Sequence, residues 1–121
     1  ATGGFDHNYV LRQNDALALP NDGLASQNEG LALAATVREP ESGRSLAVFT
    51  TQPGLQFYTG NFLTPEILGK SNRPFCRHAG FCLETQAFPD APHNPWYDSV
   101  ILRPGQVYAH STMYRFGVDG A

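Results

Sequence analysis

Residues 31–51 read LALAATVREPESGRSLAVFTT, and this stretch decides the fold. Two runs of β-branched, aromatic and small apolar residues, 31–38 and 44–51, flank a short segment that contains Pro40 and Gly43. Such runs favour β-strands, and a Pro and a Gly between them are typical of a hairpin loop. The stretch therefore predicts two neighbouring antiparallel strands.

Strand signals continue on the carboxy-terminal side of this hairpin. Residues 55–59, 99–102 and 106–118 predict further strands, whereas the repeated prolines of residues 88–96 predict an ordered loop, because proline removes a backbone donor. Only residues 21–29 have room for one helical turn, since no longer segment shows a helical period. We expect an all-β antiparallel β-sandwich in which residues 1–121 form a single segment.

Composition narrows the classes of function. The chain has 121 residues, of which 41% are hydrophobic and 16% charged, as expected for one globular domain. Its net charge of -3 comes without charge runs, which argues against nucleic-acid and membrane partners. Cys76 and Cys82 match no zinc pattern and the histidines are scattered, so we expect reduced thiols in a cytoplasmic protein without a metal site. The start, which lacks Met, fits a processed, trimmed or internal segment.

A carboxylate interrupts one strand pattern, GFCLETQ at residues 80–86. Alternation puts Phe81, Leu83 and Thr85 on one face of this strand and Cys82, Glu84 and Gln86 on the other. Glu is depleted from strands, so Glu84 needs a reason to be there. The polar face is either simply solvated or part of a cleft in which a rigidly held carboxylate serves as a general base.

Four blocks carry a family resemblance: FDHN at residues 5–8, TTQPGLQFYTGN at 50–61, GFCLETQ at 80–86 and LRPG at 102–105. In order and spacing they resemble the carboxy-terminal part of aldose 1-epimerases, the galactose mutarotases. The resemblance runs across essentially the whole chain.

The resemblance implies a galactose-mutarotase-like supersandwich that interconverts the α and β anomers of free aldoses such as galactose or glucose, without a cofactor. It implies that Glu84 is the general base, that Asp6 holds sugar hydroxyls and that Gln52 contacts the sugar. The family's acid is a histidine upstream of anything that matches this chain. We therefore expect two partners, a monosaccharide and either a second chain or the amino-terminal portion of the same enzyme.

The missing acid leaves other hypotheses open. The chain is a cleaved or split enzyme, an experimental fragment or a short natural homologue, and its alternative function is that of a non-catalytic carbohydrate-binding module or an inactive fragment. The pair Trp96 and Tyr97 either stacks on a sugar at the rim of a site or packs the proline-rich loop onto the sheet.

Overall fold

The computed structural model describes residues 3–12 and 30–118, and six strands form over these ranges. They are β1 (Asp6–Val10), β2 (Ala32–Arg38), β3 (Arg44–Thr50), β4 (Gly54–Tyr58), β5 (Cys82–Gln86) and β6 (Thr112–Val118). Sheet A has the order β1-β4-β5 and sheet B the order β2-β3-β6, and every pairing is antiparallel. The all-β prediction is confirmed.

The predicted hairpin joins β2 to β3, and Glu39 organises its turn. The backbone N–H of Glu39 donates to the carbonyl of Arg44 at 2.8 Å, while its carboxylate accepts bonds from the backbone N–H groups of Glu41 and Ser42 and from the Ser42 hydroxyl. Gly43 takes a positive φ of 69°, a conformation that costs glycine little. The Ser42 hydroxyl, followed by the two N–H groups, lowers the pKa of Glu39.

The two sheets face each other and meet along β5 and β6. Val48 of β3 is 0% exposed and Leu55 of β4 is 4% exposed. The Thr85 and Thr112 hydroxyl oxygens lie 2.6 Å apart, which ties β5 to β6. Because side chains alternate along a strand, the burial of Leu55 and the inward contact of Thr85 direct Gln56 and Glu84 to the outer face of sheet A.

The predicted strand at residues 99–102 is wrong, and the strand predicted over 106–118 is shorter, beginning at Thr112. Val100, Ile101 and Leu102 are 44%, 56% and 57% exposed. A strand requires a neighbour for its backbone groups, and none of the strands within 3–12 and 30–118 pairs with these three residues. The helical turn predicted at 21–29 lies outside the described residues.

Several aromatic side chains near the carboxy-terminal end are exposed. Tyr108, Tyr114 and Phe116 are 66%, 47% and 77% exposed. In the proline-rich loop, which contains a 3-10 turn at Ala91–His93, the Tyr97 ring packs on Phe88 with centroids 4.5 Å apart. Trp96 in the same loop is 89% exposed, so Tyr97 and not Trp96 anchors the loop.

Candidate functional site

The outer face of sheet A carries a cluster of polar side chains, which we call the polar face. The register aligns Asn8 of β1, Gln56 of β4 and Glu84 of β5 in one row across the three strands. Asp6 lies in the preceding row and Gln86 in the following one, on the same face. The polar face therefore comprises Asp6, Asn8, Gln56, Glu84 and Gln86.

Gln56 lies between the two carboxylates of this face. Its Nε2 donates to Asp6 Oδ1 at 2.7 Å, and its backbone is the register partner of Glu84. Directly opposed side chains have Cβ atoms about 4.5–5.5 Å apart, so Gln56 and Glu84 are neighbours on the polar face. Glu84 and Asp6 lie on strands about 9–10 Å apart and are offset by two residues along the strands, so their Cα atoms are about 12 Å apart, which leaves room for a single sugar ring between the side chains.

A second bond crosses the same face. Gln86 Nε2 on β5 donates to Asn8 Oδ1 on β1 at 3.1 Å, and both side chains are half-buried. The bond passes over Gly54 of β4, whose lack of a side chain leaves the space open. Glu84 itself is exposed, and its carboxylate is accessible to a ligand from the outer side of the sheet.

The Cys82 thiol is the neighbour of Glu84 along β5, because residues two apart share a face. Partial burial, the Glu84 carboxylate charge and a hydrogen bond from the thiol to that carboxylate together raise the pKa of Cys82. The thiol therefore stays protonated beside the carboxylate at neutral pH. Both Cys76 and Cys82 are free and exposed.

Gln52 lies apart from this arrangement. It is buried in the connection from β3 to β4, its backbone N–H donates to Thr50 Oγ1 at 3.1 Å, and its Nε2 donates to the Tyr108 hydroxyl at 2.7 Å. It lines a separate cavity of about 580 Å³ that also includes Tyr97 and His110. Of the three residues predicted for the site, the structure thus brings Asp6 and Glu84 onto one face and directs Gln52 elsewhere.

Each of the four histidines makes its contacts away from Glu84. His7 is the register partner of Phe57, which puts its side chain on the inner face of sheet A. The others contact the Thr59 carbonyl, Asp90 and the Thr51 hydroxyl, through His78, His93 and His110 respectively. Across residues 3–12 and 30–118, no histidine lies in position to act as an acid opposite Glu84.

Gln56 is the residue of the polar face between Asp6 and Glu84 that the sequence-based prediction did not name. It stands four positions after Gln52 in the same TTQPGLQFYTGN block. Pairing the strand at 55–59 with GFCLETQ by alternation would have identified it, because the residue opposite Glu84 must share the polar face.

Two negative findings apply to the described part of the chain. There, no group of three or more His, Cys, Asp and Glu side chains is arranged to hold a metal ion. No helix in these ranges has the length and apolar character needed to cross a membrane.

Comparison with known proteins identifies the family of the chain. The family model for aldose 1-epimerase matches residues 1–115. The chain is 44% identical to galactose mutarotase from Rattus norvegicus and from Homo sapiens over 115 residues, which are 95% of this chain and 30% of each relative. It is 33% identical to aldose 1-epimerase from Escherichia coli (strain K12) over 117 residues, 93% of this chain and 29% of that protein. The chain spans less than a third of the length of these relatives, and it belongs to the aldose 1-epimerase family.

Proposed function

We propose that Asp6, Gln56 and Glu84 of the polar face bind a free aldose such as galactose or glucose and that Glu84 acts as the general base of its mutarotation. The observation that carries this proposal is the placement of Asp6, Gln56 and Glu84 on one rigid sheet surface, with Gln56 bonded to Asp6 at 2.7 Å and opposite Glu84 in register. The names of the relatives, galactose mutarotase and aldose 1-epimerase, support the same reaction.

The chemistry requires a base and an acid together. Glu84 takes the proton of the anomeric hydroxyl, the ring C–O bond breaks as the ring oxygen gains a proton, and the open-chain aldehyde forms. Rotation about the bond to the carbonyl carbon exposes its other face, and the reverse transfers close the ring as the other anomer. An ionised carboxylate within hydrogen-bond reach of the hydroxyl suits the first transfer, and each such transfer contributes about 10²–10⁴-fold to the rate.

Asp6 and Gln56 orient the sugar in this proposal. The Asp6 carboxylate accepts bonds from sugar hydroxyls, and the Gln56 amide offers both a carbonyl and an N–H. When the bound polyol is held in one orientation, the entropy cost of aligning it is met by binding free energy. That cost then no longer adds to the activation barrier. Gln56 thereby takes the sugar-contacting role that the sequence predicted for Gln52.

Comparing two conservative substitutions tests the assignment of Gln56. We expect Gln56→Met to raise the KM for galactose about tenfold, because it removes an amide of the polar face while keeping the length of the side chain. Gln52→Met, the matched control, breaks the bond to Tyr108 and should leave KM within about twofold. Polarimetry of freshly dissolved α-galactose gives the KM of each variant. A larger KM increase for Gln52→Met than for Gln56→Met would return the role to Gln52.

A further polypeptide portion supplies what the described residues lack. Phe116 and Val107 are 77% and 86% exposed, and a cleft of about 900 Å³ opens between the sheets beside Phe57 and Phe81. Exposed apolar side chains of this size favour an interface with another part of a protein. We propose that the remaining portion of a mutarotase, on the same or a separate polypeptide, covers this surface and provides the general acid.

Two measurements, binding of a hydrophobic dye and intact mass, test whether a further polypeptide portion covers the apolar surface. The chain alone should enhance the fluorescence of a hydrophobic dye several-fold and self-associate, because its apolar side chains lack a cover. An intact-mass measurement of native material should find a longer chain or a second polypeptide in equal amount. A monomeric isolated chain that binds no dye would contradict the proposal.

A second candidate is supported by the positions of the histidines. Since none of the four contacts Glu84 or shares its face, the described residues hold a base without an acid. Such an arrangement binds sugar without turning it over. Calorimetric titration with galactose that saturates, together with unchanged anomer exchange by NMR in the complete assembly, would favour a non-catalytic carbohydrate-binding module.

A further inference from the structure

We propose that Asn8 and Gln86 are positioning residues, whose side-chain bond over Gly54 sets the distance between Glu84 and Asp6. The proposal rests on the function proposed for the polar face and deepens it. It concerns two amides that do not need to touch the sugar to affect its reaction.

The bond joins two strands that are not neighbours. In the described part of sheet A, β1 and β5 each pair with β4 and not with each other. Gln86 Nε2 reaches Asn8 Oδ1 at 3.1 Å across the full width of the sheet, about 9–10 Å between the outer strands. The two side chains extend toward each other over β4. Their bond can therefore form only when β1 and β5 are held at this separation.

Gly54 is what makes the bond possible. A Cβ built on Gly54 would lie 2.8 Å from Asn8 Oδ1 and 3.2 Å from the backbone oxygen of Gln86. The φ angle of Gly54 is not among the positive ones, so the position needs glycine for space and not for a special backbone conformation. Any larger residue at this position pushes the Asn8 amide away from Gln86.

The bond lies next to both carboxylates. Asn8 follows Asp6 by two residues on β1, and Gln86 follows Glu84 by two residues on β5, so each carboxylate shares a strand face with one end of the bond. Among the strands within 3–12 and 30–118, β1 and β5 are each paired on one side only, and such strands shift and fray more easily than central ones. A shift of about 1 Å at reacting groups costs about 100-fold in rate, so a fixed separation of β1 and β5 matters for catalysis.

Kinetics of single and double variants test the proposal in the complete assembly. We expect Asn8→Ala and Gln86→Met each to lower kcat for galactose about tenfold with KM within about twofold, because the loss is one of alignment and not of a sugar contact. The double variant should be no slower than either single one, since both remove the same bond. Asn8→Asp keeps the acceptor for Gln86 Nε2 and should recover most of the rate. Val10→Ala, at the exposed end of β1, is the matched control with an unchanged rate.

A measurement without sugar separates this inference from the proposed function. Hydrogen exchange of the β5 backbone amides should speed up about three- to tenfold in Asn8→Ala, Gln86→Met and Gly54→Ala, and no further in the double variant. Unchanged β5 protection, or single effects that multiply in the double variant, would overturn the inference. If the wild-type assembly does not accelerate the interconversion of anomers, the proposed function fails. The hydrogen-exchange data still decide whether the bond between Asn8 and Gln86 fixes β5.

Discussion

Replacing Glu84 with glutamine should slow galactose mutarotation by about 10²–10⁴-fold, the usual contribution of one positioned base. The amide keeps the size of the side chain and its register opposite Gln56, but it cannot take the proton of the anomeric hydroxyl. The affinity for galactose should change by no more than about threefold, because Asp6 and Gln56 keep their bond to each other. Polarimetry gives the rate and calorimetric titration gives the affinity.

The Glu84 prediction has a matched control variant and one outcome that would contradict it. Glu41→Gln removes an exposed carboxylate from the β2–β3 turn and should leave the rate unchanged. If Glu84→Gln retains more than about a tenth of the wild-type rate, Glu84 is not the base, and the polar face serves only for binding.

The same variant has a readout that needs no substrate. The Glu84 charge and its bond from the thiol both raise the pKa of Cys82, so Glu84→Gln should lower that pKa toward its ordinary value. More thiolate then forms at mildly alkaline pH, and alkylation of Cys82 by iodoacetamide should become faster while that of Cys76 stays the same. An unchanged rate at Cys82 would mean that the two side chains do not interact in solution.

Local pattern predicted most of the sheets because burial and alternation agree there. The hairpin of residues 31–51 and the strand in GFCLETQ have inner faces of apolar or β-branched residues, and all three strands form within the predicted stretches. β1 was not predicted as a strand, because its Asp6 and Asn8 belong to residue types that strands disfavour. Pairing with β4 and the bonds of Asp6 to Gln56 and Asn8 to Gln86 compensate for that preference.

The candidate site shows which information a motif lacks. TTQPGLQFYTGN contains two glutamines, and their spacing alone does not say which one faces Glu84. The strand register identifies it, since Gln56 is the register partner of Glu84. Gln52 precedes β4, and its side chain donates a hydrogen bond to the Tyr108 hydroxyl. The strand prediction at 99–102 failed for a related reason, because apolar residues such as Val100 and Ile101 form a strand only when a neighbour completes their backbone bonds.

Replacing Leu55 with alanine should lower the free energy of unfolding by about 2–5 kcal/mol, the usual cost of removing a buried leucine side chain. Leu55 is 4% exposed and lies on the inner face of β4, between its register partners Tyr9 and Thr85. Total stabilities of about 5–15 kcal/mol make this a large loss, because few other side chains are as well buried in the described core. Urea unfolding followed by far-UV circular dichroism measures the change.

The loss of unfolding free energy in Leu55→Ala is to be compared with the losses in two other variants, Leu68→Ala and Gln56→Met. Leu68 is 57% exposed, so its truncation should cost no more than about 0.5 kcal/mol. Gln56 is the next residue after Leu55 but faces outward, so its substitution should affect sugar binding far more than stability. If Leu55→Ala were as mild as Leu68→Ala, the inner face of β4 would not be packed, and Gln56 would lose the rigid support that its position opposite Glu84 requires.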